Sequence, residues 1–100
     1  MTKFTPGQIL YTKEVDDQTI VHFYQVVRAT SNTCELREIR KRIHSQSYDE
    51  QEVGPVADEF VGPPIRKRIT KTGAVIMKGR LYAWPWQGET LWQTAIIFMP

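Results

Sequence analysis

The pentapeptide Ile-Arg-Lys-Arg-Ile occurs twice, at 39–43 and at 65–69. The two copies hold six of the thirteen Lys and Arg residues, while the formal net charge is only +2. Positive charge is therefore concentrated, and concentrated charge is what phosphate backbones and acidic protein faces respond to. In an extended strand Arg40 and Arg42 point away from Ile39, Lys41 and Ile43; likewise Arg66 and Arg68 point away from Ile65 and Ile69. If the two segments are neighbours, four guanidinium groups converge on one outer surface, with Arg28, Arg37 and Lys71 extending it. Such a stripe matches a phosphate ladder, because Arg offers bidentate hydrogen bonds that Lys cannot. Lys41 and Lys67, at the centres of the copies, belong to the same candidate set. The competing reading is a pair of solvated strand faces whose basic residues discourage edge-to-edge pairing. Glu35, Glu38, Asp49, Glu50 and Glu52 would then neutralise much of the field.

Aromatic residues form the second constellation. Tyr82, Trp84 and Trp86 alternate, so in a strand they line one face, and Trp92 joins them from the last segment. Beside arginines, exposed rings stack on single-stranded bases, and Trp is a common interface anchor. Equally, these rings can be the core of a small domain that has only four Leu. Pro85, lacking a donor between Trp84 and Trp86, marks an edge strand or a bulge.

Catalytic and metal chemistry finds no constellation. His22 and His44 have no Cys or His partner at metal-ligand spacing. There is no glycine-rich phosphate loop and no Gly-x-Ser-x-Gly. Cys34 is more readily a small core residue than a nucleophile paired with either histidine. Asp16-Asp17 sits in a turn. No group of residues supplies nucleophile, base and stabiliser together, so the chain reads as non-catalytic, without cofactor or metal.

The elements that must position these residues are strands. One hundred residues make one domain. The lone cysteine fits a reducing compartment. No signal peptide and no apolar run of about 20 residues is present, so a cytoplasmic protein of a bacterial cell, without a membrane span, is expected. Strands are predicted over 8–13, 19–30, 33–47 and 65–70, then over the short apolar segments 74–77, 81–86 and 90–99. Turns are predicted at 31–32, 71–73, 78–79 and 87–88. The 19–30 segment is apolar on both faces: Val21, Phe23 and Val27 on one, Ile20, Tyr24 and Val26 on the other. Such a strand belongs at the centre of a closed or strongly curved sheet. In 33–47, Cys34 and Leu36 have one parity and Ile39 and Ile43 the other, which predicts a bulge near Arg37–Glu38, with a helix as the rival reading because Leu36, Ile39 and Ile43 are spaced 3 and 4 apart. The acidic stretch 48–59, with Gly54-Pro55, reads as a loop. The fold class expected is mainly β: a small twisted antiparallel barrel of SH3 type with five or six strands and room for one short helix.

Asp17-Gln18-Thr19, the Phe23-Tyr24-Gln25-Val26 strand, Leu36-Arg37-Glu38-Ile39, Phe60-Val61-Gly62-Pro63-Pro64 before a basic strand, and the terminal Trp86 to Gly88 stand in an order worth comparing. Together they resemble a family of short proteins from phages, plasmids and other bacterial mobile elements. The chain has Glu14-Val15-Asp16 where that family has Trp-Gly-Tyr, and His22 where an acid is usual. The resemblance implies an origin, a mobile-element accessory protein, and carries no activity to any residue. Taken with the basic repeat, it leads to an expected nucleic-acid-binding accessory protein, with Arg40, Arg42, Arg66 and Arg68 on phosphates and Trp84 or Trp86 stacking. Two other classes stay open. One is an anti-defence protein that inhibits a host nuclease complex through protein interaction. The other is a homodimeric structural module joined through a Trp-bearing edge strand.

Overall fold

A computed structural model describes residues 4–95, and these contain eight β-strands and no helix. They are β1 (Ile9–Val15), β2 (Thr19–Ala29), β3 (Thr33–Gln46), β4 (Glu50–Phe60), β5 (Ile65–Arg68), β6 (Val75–Lys78), β7 (Leu81–Pro85) and β8 (Leu91–Thr94). The expected antiparallel, mainly β fold is what forms, with eight strands among the described residues where five or six were expected. The strand order is β6-β7-β1-β2-β3-β4-β8, with β5 also paired to β3. The last expected strand is seen over Leu91–Thr94; its part beyond Ala95 lies outside the described residues. None of the described residues forms a helix long and apolar enough to cross a membrane.

β2 sets the architecture. Its alternating side chains are buried on both faces, and each face has its own core. On one face Leu10, Val26, Cys34 and Leu36 pack with Val75, Met77 and Ala83. On the other, Val21, Phe23 and Ile39 pack with Val53 and Leu91, joined by Tyr11, Phe60 and Trp86. Cross-strand partners keep the faces apart: Val26 lies opposite Leu36, and Phe23 opposite Ile39. A sheet with two cores on opposite sides of one strand must curl both ways.

The first core is enclosed by a circuit of β1, β2, β3, β5, β6 and β7. β5 and β6 meet at one isolated bridge, Ile69 to Val75, so the sheet is barrel-like without closing by a ladder. Lys67 crosses that seam, its Nζ donating to the Met77 carbonyl at 2.9 Å. The second core is covered by β4 and β8, and β8 returns to β2 through side chains. Thr94 Oγ1 accepts from the Thr19 amide at 2.9 Å, and Gln93 Oε1 from the Val21 amide at 3.3 Å. Lys41 Nζ donates to both the Val21 carbonyl (2.7 Å) and Gln93 Oε1 (2.8 Å). Gln93 Nε2 in turn donates to Gln51 Oε1 at 2.9 Å. Each copy of the pentapeptide thus places its central lysine across a seam the ladders leave open.

Three expectations are corrected. No bulge occurs at Arg37–Glu38: pairing with β2 runs unbroken from Leu36 to Ile39; Cys34 and Leu36 are buried in one core and Ile39 in the other, while Ile43, expected beside Ile39, is exposed. The slip lies in β2 instead, where Val27, expected on the Phe23 face, is the unpaired residue between Val26 and Arg28. Residues 48–59 are not a loop, since β4 begins at Glu50. Gly54 and Pro55 pair with Arg42 and Lys41 of β3, but β8 reaches only Glu50–Val53, so from Gly54 onward the other side of β4 is an open edge, where proline is tolerated. A Cβ at Gly54 would lie 2.5 Å from His44 Nε2, so the glycine makes room for that ring. Between Pro55 and Phe60 the strand bulges, and Asp58 takes φ 67°. Gln25 holds that turn from both sides, donating to Asp58 Oδ1 and accepting from the Asp58 amide, each at 2.8 Å.

Phe23 is fully buried and meets the Trp86 ring edge-on at 6.3 Å. Phe23→Ala is expected to cost about 3–5 kcal/mol in urea unfolding. A cost near zero would contradict the two-core description of β2. Lys41→Ala strands the Val21 carbonyl and Gln93, and is expected to cost about 1–3 kcal/mol, whereas Arg42→Ala on the exposed side should stay within about 0.5 kcal/mol.

Candidate nucleic-acid interface

The two pentapeptides do not pair with one another. β5 lies against Thr33–Leu36, so Arg66 stands opposite Glu35 and Arg68 opposite Thr33. Arg40 and Arg42 lie farther along β3, at even positions, whereas Glu35 and Thr33 are odd. By strand alternation the two arginine pairs therefore leave opposite faces of β3. The expected convergence of four guanidinium groups does not occur. All four arginines are exposed, as the parity argument required.

The first copy is largely engaged. Arg40 Nε is 3.3 Å from Glu59 Oε1, and Lys41 is turned inward into the Gln93 network. Burial pushes the Lys41 ammonium below its ordinary pKa, against the opposing pull of the Glu38 charge. Of the proposed extensions, Arg28 pairs with Glu35 at 3.1 Å. Arg37 lies 4.4 Å over the Phe60 ring and donates to the Gly62 carbonyl at 2.9 Å. Lys67 is spent on the β5–β6 seam.

The second copy lies in a different electrostatic setting. Between Glu59 and Glu89 the chain contains no acidic residue, yet carries Arg66, Lys67, Arg68, Lys71, Lys78 and Arg80. Among the described residues Arg66, Arg68, Lys71, Lys78 and Arg80 make no ion pair. This acid-free run was open to inspection in the sequence, but a search for repeats does not find it. It folds into the strands β5, β6 and β7, whose inward positions include Ile65, Lys67, Val75, Met77, Leu81 and Ala83. Their outward positions are Arg66, Arg68, Ile76, Lys78, Tyr82 and Trp84. The Ile69–Val75 bridge and the Lys67–Met77 hydrogen bond bring β5 alongside β6, so Arg66 and Arg68 stand across this seam from Ile76 and Lys78. Ile76 is in turn paired with Tyr82.

The aromatic constellation divides. Tyr82 and Trp84 share the outer face, 40% and 43% exposed, with ring centroids 6.3 Å apart. Trp84 stands opposite Tyr11 across the β1–β7 ladder. Trp86 falls beyond the end of β7 and turns into the second core; its Nε1 donates to the Glu89 carbonyl at 3.0 Å. Trp92 is on β8, opposite Glu52, away from this face. Glu89 lies at the rim of a shallow depression with Tyr11, Gly73 and Trp84, and its carboxylate accepts from the Gln87 amide at 2.6 Å. Two further acids border the face: Glu35, opposite Arg66 and paired with Arg28, and Glu14, which lines a groove with Lys78 and Arg80. Gly73 and Gly88 have φ of 89° and 91°, which only glycine adopts without strain, so the turns that frame this depression depend on them.

The remaining chemistry is structural in placement. Cys34 is 1% exposed in the first core, and burial pushes its thiol up to about 11. His22 Nδ1 lies 2.9 Å from Glu38 Oε2 on a half-exposed strand face. The His44 ring lies against Gly54 at the β3–β4 edge. Among the described residues no three His, Cys, Asp or Glu side chains gather to hold a metal ion.

Comparison with protein-family models, curated proteins and solved structures finds no match to this chain.

The Cys34 thiol ionises near 9 in the unfolded chain and near 11 in the folded one. Its contribution to stability is complete below pH 9 and is lost as pH rises toward 11. Urea unfolding at pH 8 and pH 10 is expected to show this loss in the parent and a smaller one in Cys34→Ala. Lys41, lowered on folding, works in the opposite sense, so the difference between the two proteins is the readout. Equal pH dependence in both would contradict the buried placement of the thiol.

Proposed function

We propose that this protein is a non-catalytic, nucleic-acid-binding accessory protein of a phage or other mobile element, and that it binds through the outer face of β5, β6 and β7. The observation that carries the reading is the acid-free run between Glu59 and Glu89, folded so that Arg66, Arg68 and Lys78 share a surface with Tyr82 and Trp84. Unpaired cations on a rigid sheet supply the counterion-releasing contacts on which phosphate binding rests. Asp16 and Asp17 in the β1–β2 turn, Asp49 in the β3–β4 turn and Glu50 and Glu52 along β4 lie off this face, while Glu35, already paired with Arg28, and Glu14 border it beside Arg66 and Lys78. A polyanion approaching such a molecule is steered to one side. The mobile-element assignment rests on the sequence resemblance alone.

The test is anisotropy titration of labelled DNA and RNA at about 50 and about 200 mM salt. Binding is expected to weaken steeply with salt. Arg66→Gln with Arg68→Gln should remove most of it, whereas Arg40→Gln with Arg42→Gln should change it little. Loss in both double variants alike would disprove the assignment to β5–β7. No binding at the lower salt would remove the nucleic-acid reading altogether. A protein-inhibitor role would then take its place, to be pursued with a protein partner.

A further inference from the structure

The binding face carries information about the form of nucleic acid it suits. Resting on the reading above, we infer that its ligand is single-stranded, with successive bases stacked on Tyr82 and Trp84 and the backbone following Arg66, Arg68, Lys71 and Lys78. Cations alone would serve a duplex equally well. The rings would not, because in a duplex the base faces are already stacked on one another, and a platform beside the phosphate contacts meets only sugar and phosphate. Tyr82 and Trp84 are two residues apart on one strand, where neighbouring side chains on a face stand about 6.6 Å apart. Their centroids, 6.3 Å apart with planes at 53°, present two separate ring faces instead of one closed stack. Ile76, 38% exposed and paired with Tyr82, continues the apolar floor toward Arg68.

Shape argues the same way. These residues are on the outside of the circuit that encloses the first core, so the face is convex. A duplex is stiff over roughly 150 base pairs and touches a small convex surface along a short line, whereas a single strand bends to follow it. The cost of exposing large rings to water is also accounted for. Phe23, fully buried, and Trp86, packed edge-on against it, show that the chain can place aromatic rings against its second core, yet Tyr82 and Trp84 stay outside on a strand that sends Leu81 and Ala83 inward.

The probes are labelled oligonucleotides of about 12 nucleotides, as single-stranded DNA, single-stranded RNA and the matching DNA duplex. Single strands are expected to bind more tightly than the duplex; the two single-stranded arms tell DNA from RNA. Trp84→Ala should weaken single-strand binding at least about fivefold and leave duplex binding unchanged, while Trp84→Phe keeps most of the affinity. With four phosphate contacts, raising salt from about 50 to about 200 mM should weaken single-strand binding about 50-fold, falling to about sevenfold after Arg66→Gln with Arg68→Gln. Circular dichroism checks folding, and Tyr82→Ala is the second variant if Trp84→Ala does not fold. Duplex binding as tight as single-strand binding, with no effect of either aromatic variant, overturns this inference and leaves the phosphate-binding reading standing. Absence of binding to all three probes overturns both.

Discussion

β2 is apolar on both faces, and no flat sheet can keep both out of water. Residues Val21 and Phe23 demand cover on one side, and Tyr24 and Val26 on the other. The molecule meets both demands by curling its strands in opposite senses around β2. One arm, through β1, β7, β6 and β5, wraps the first core; the other, through β4 and β8, wraps the second. Neither arm completes a backbone ladder at its far end. Polar side chains join both ends: Lys67 between β5 and β6, and Lys41, Gln93 and Thr94 between β8 and β2. The inward lysines are therefore part of the architecture, and hydrogen bonds to charged groups of this kind contribute more than neutral ones.

The same constraint distributes the charge. Leu36 and Ile39 have opposite parity and are both buried, because β3 passes from the wall of one core to the wall of the other. Residues that follow Ile39 outward thus emerge on a different face from those that pair with Glu35. Two identical pentapeptides end up in unlike surroundings: one beside Glu59 and threaded into a polar network, the other in an acid-free run of strands that carries two exposed rings and is bordered by Glu35, itself paired with Arg28. Surface chemistry here follows from core packing two strands away.

Much of this was legible in the sequence. β-branched and aromatic density marked β2 and its two-sidedness, and the turns at Gly73, Gly79 and Gly88 fell where glycine takes positive φ. The outward direction of the arginines followed from alternation alone. Other features depended on non-local partners. β4 was hidden by Gly54-Pro55, which signal a turn unless the strand has an open edge and a bulge at that point. The parity conflict in β3 invited a bulge because one core was assumed where there are two. Adjacency of the two repeats was a guess about pairing that local pattern cannot inform, since β5 reaches β3 only after the break at Gly62-Pro63-Pro64. Trp86 left the expected aromatic row because β7 ends one residue before it and Phe23 waits on the other side.

The most direct test of the whole account is a map of backbone amide shifts in the two-dimensional NMR spectrum as a single-stranded oligonucleotide is added. The account predicts shifts concentrated at Arg66, Arg68, Ile76, Tyr82 and Trp84, with the amides of Arg40, Arg42 and Trp92 unmoved. Shifts centred on Arg40 and Arg42 instead, or spread over both copies together, would contradict the separation of the two pentapeptides on which the account rests.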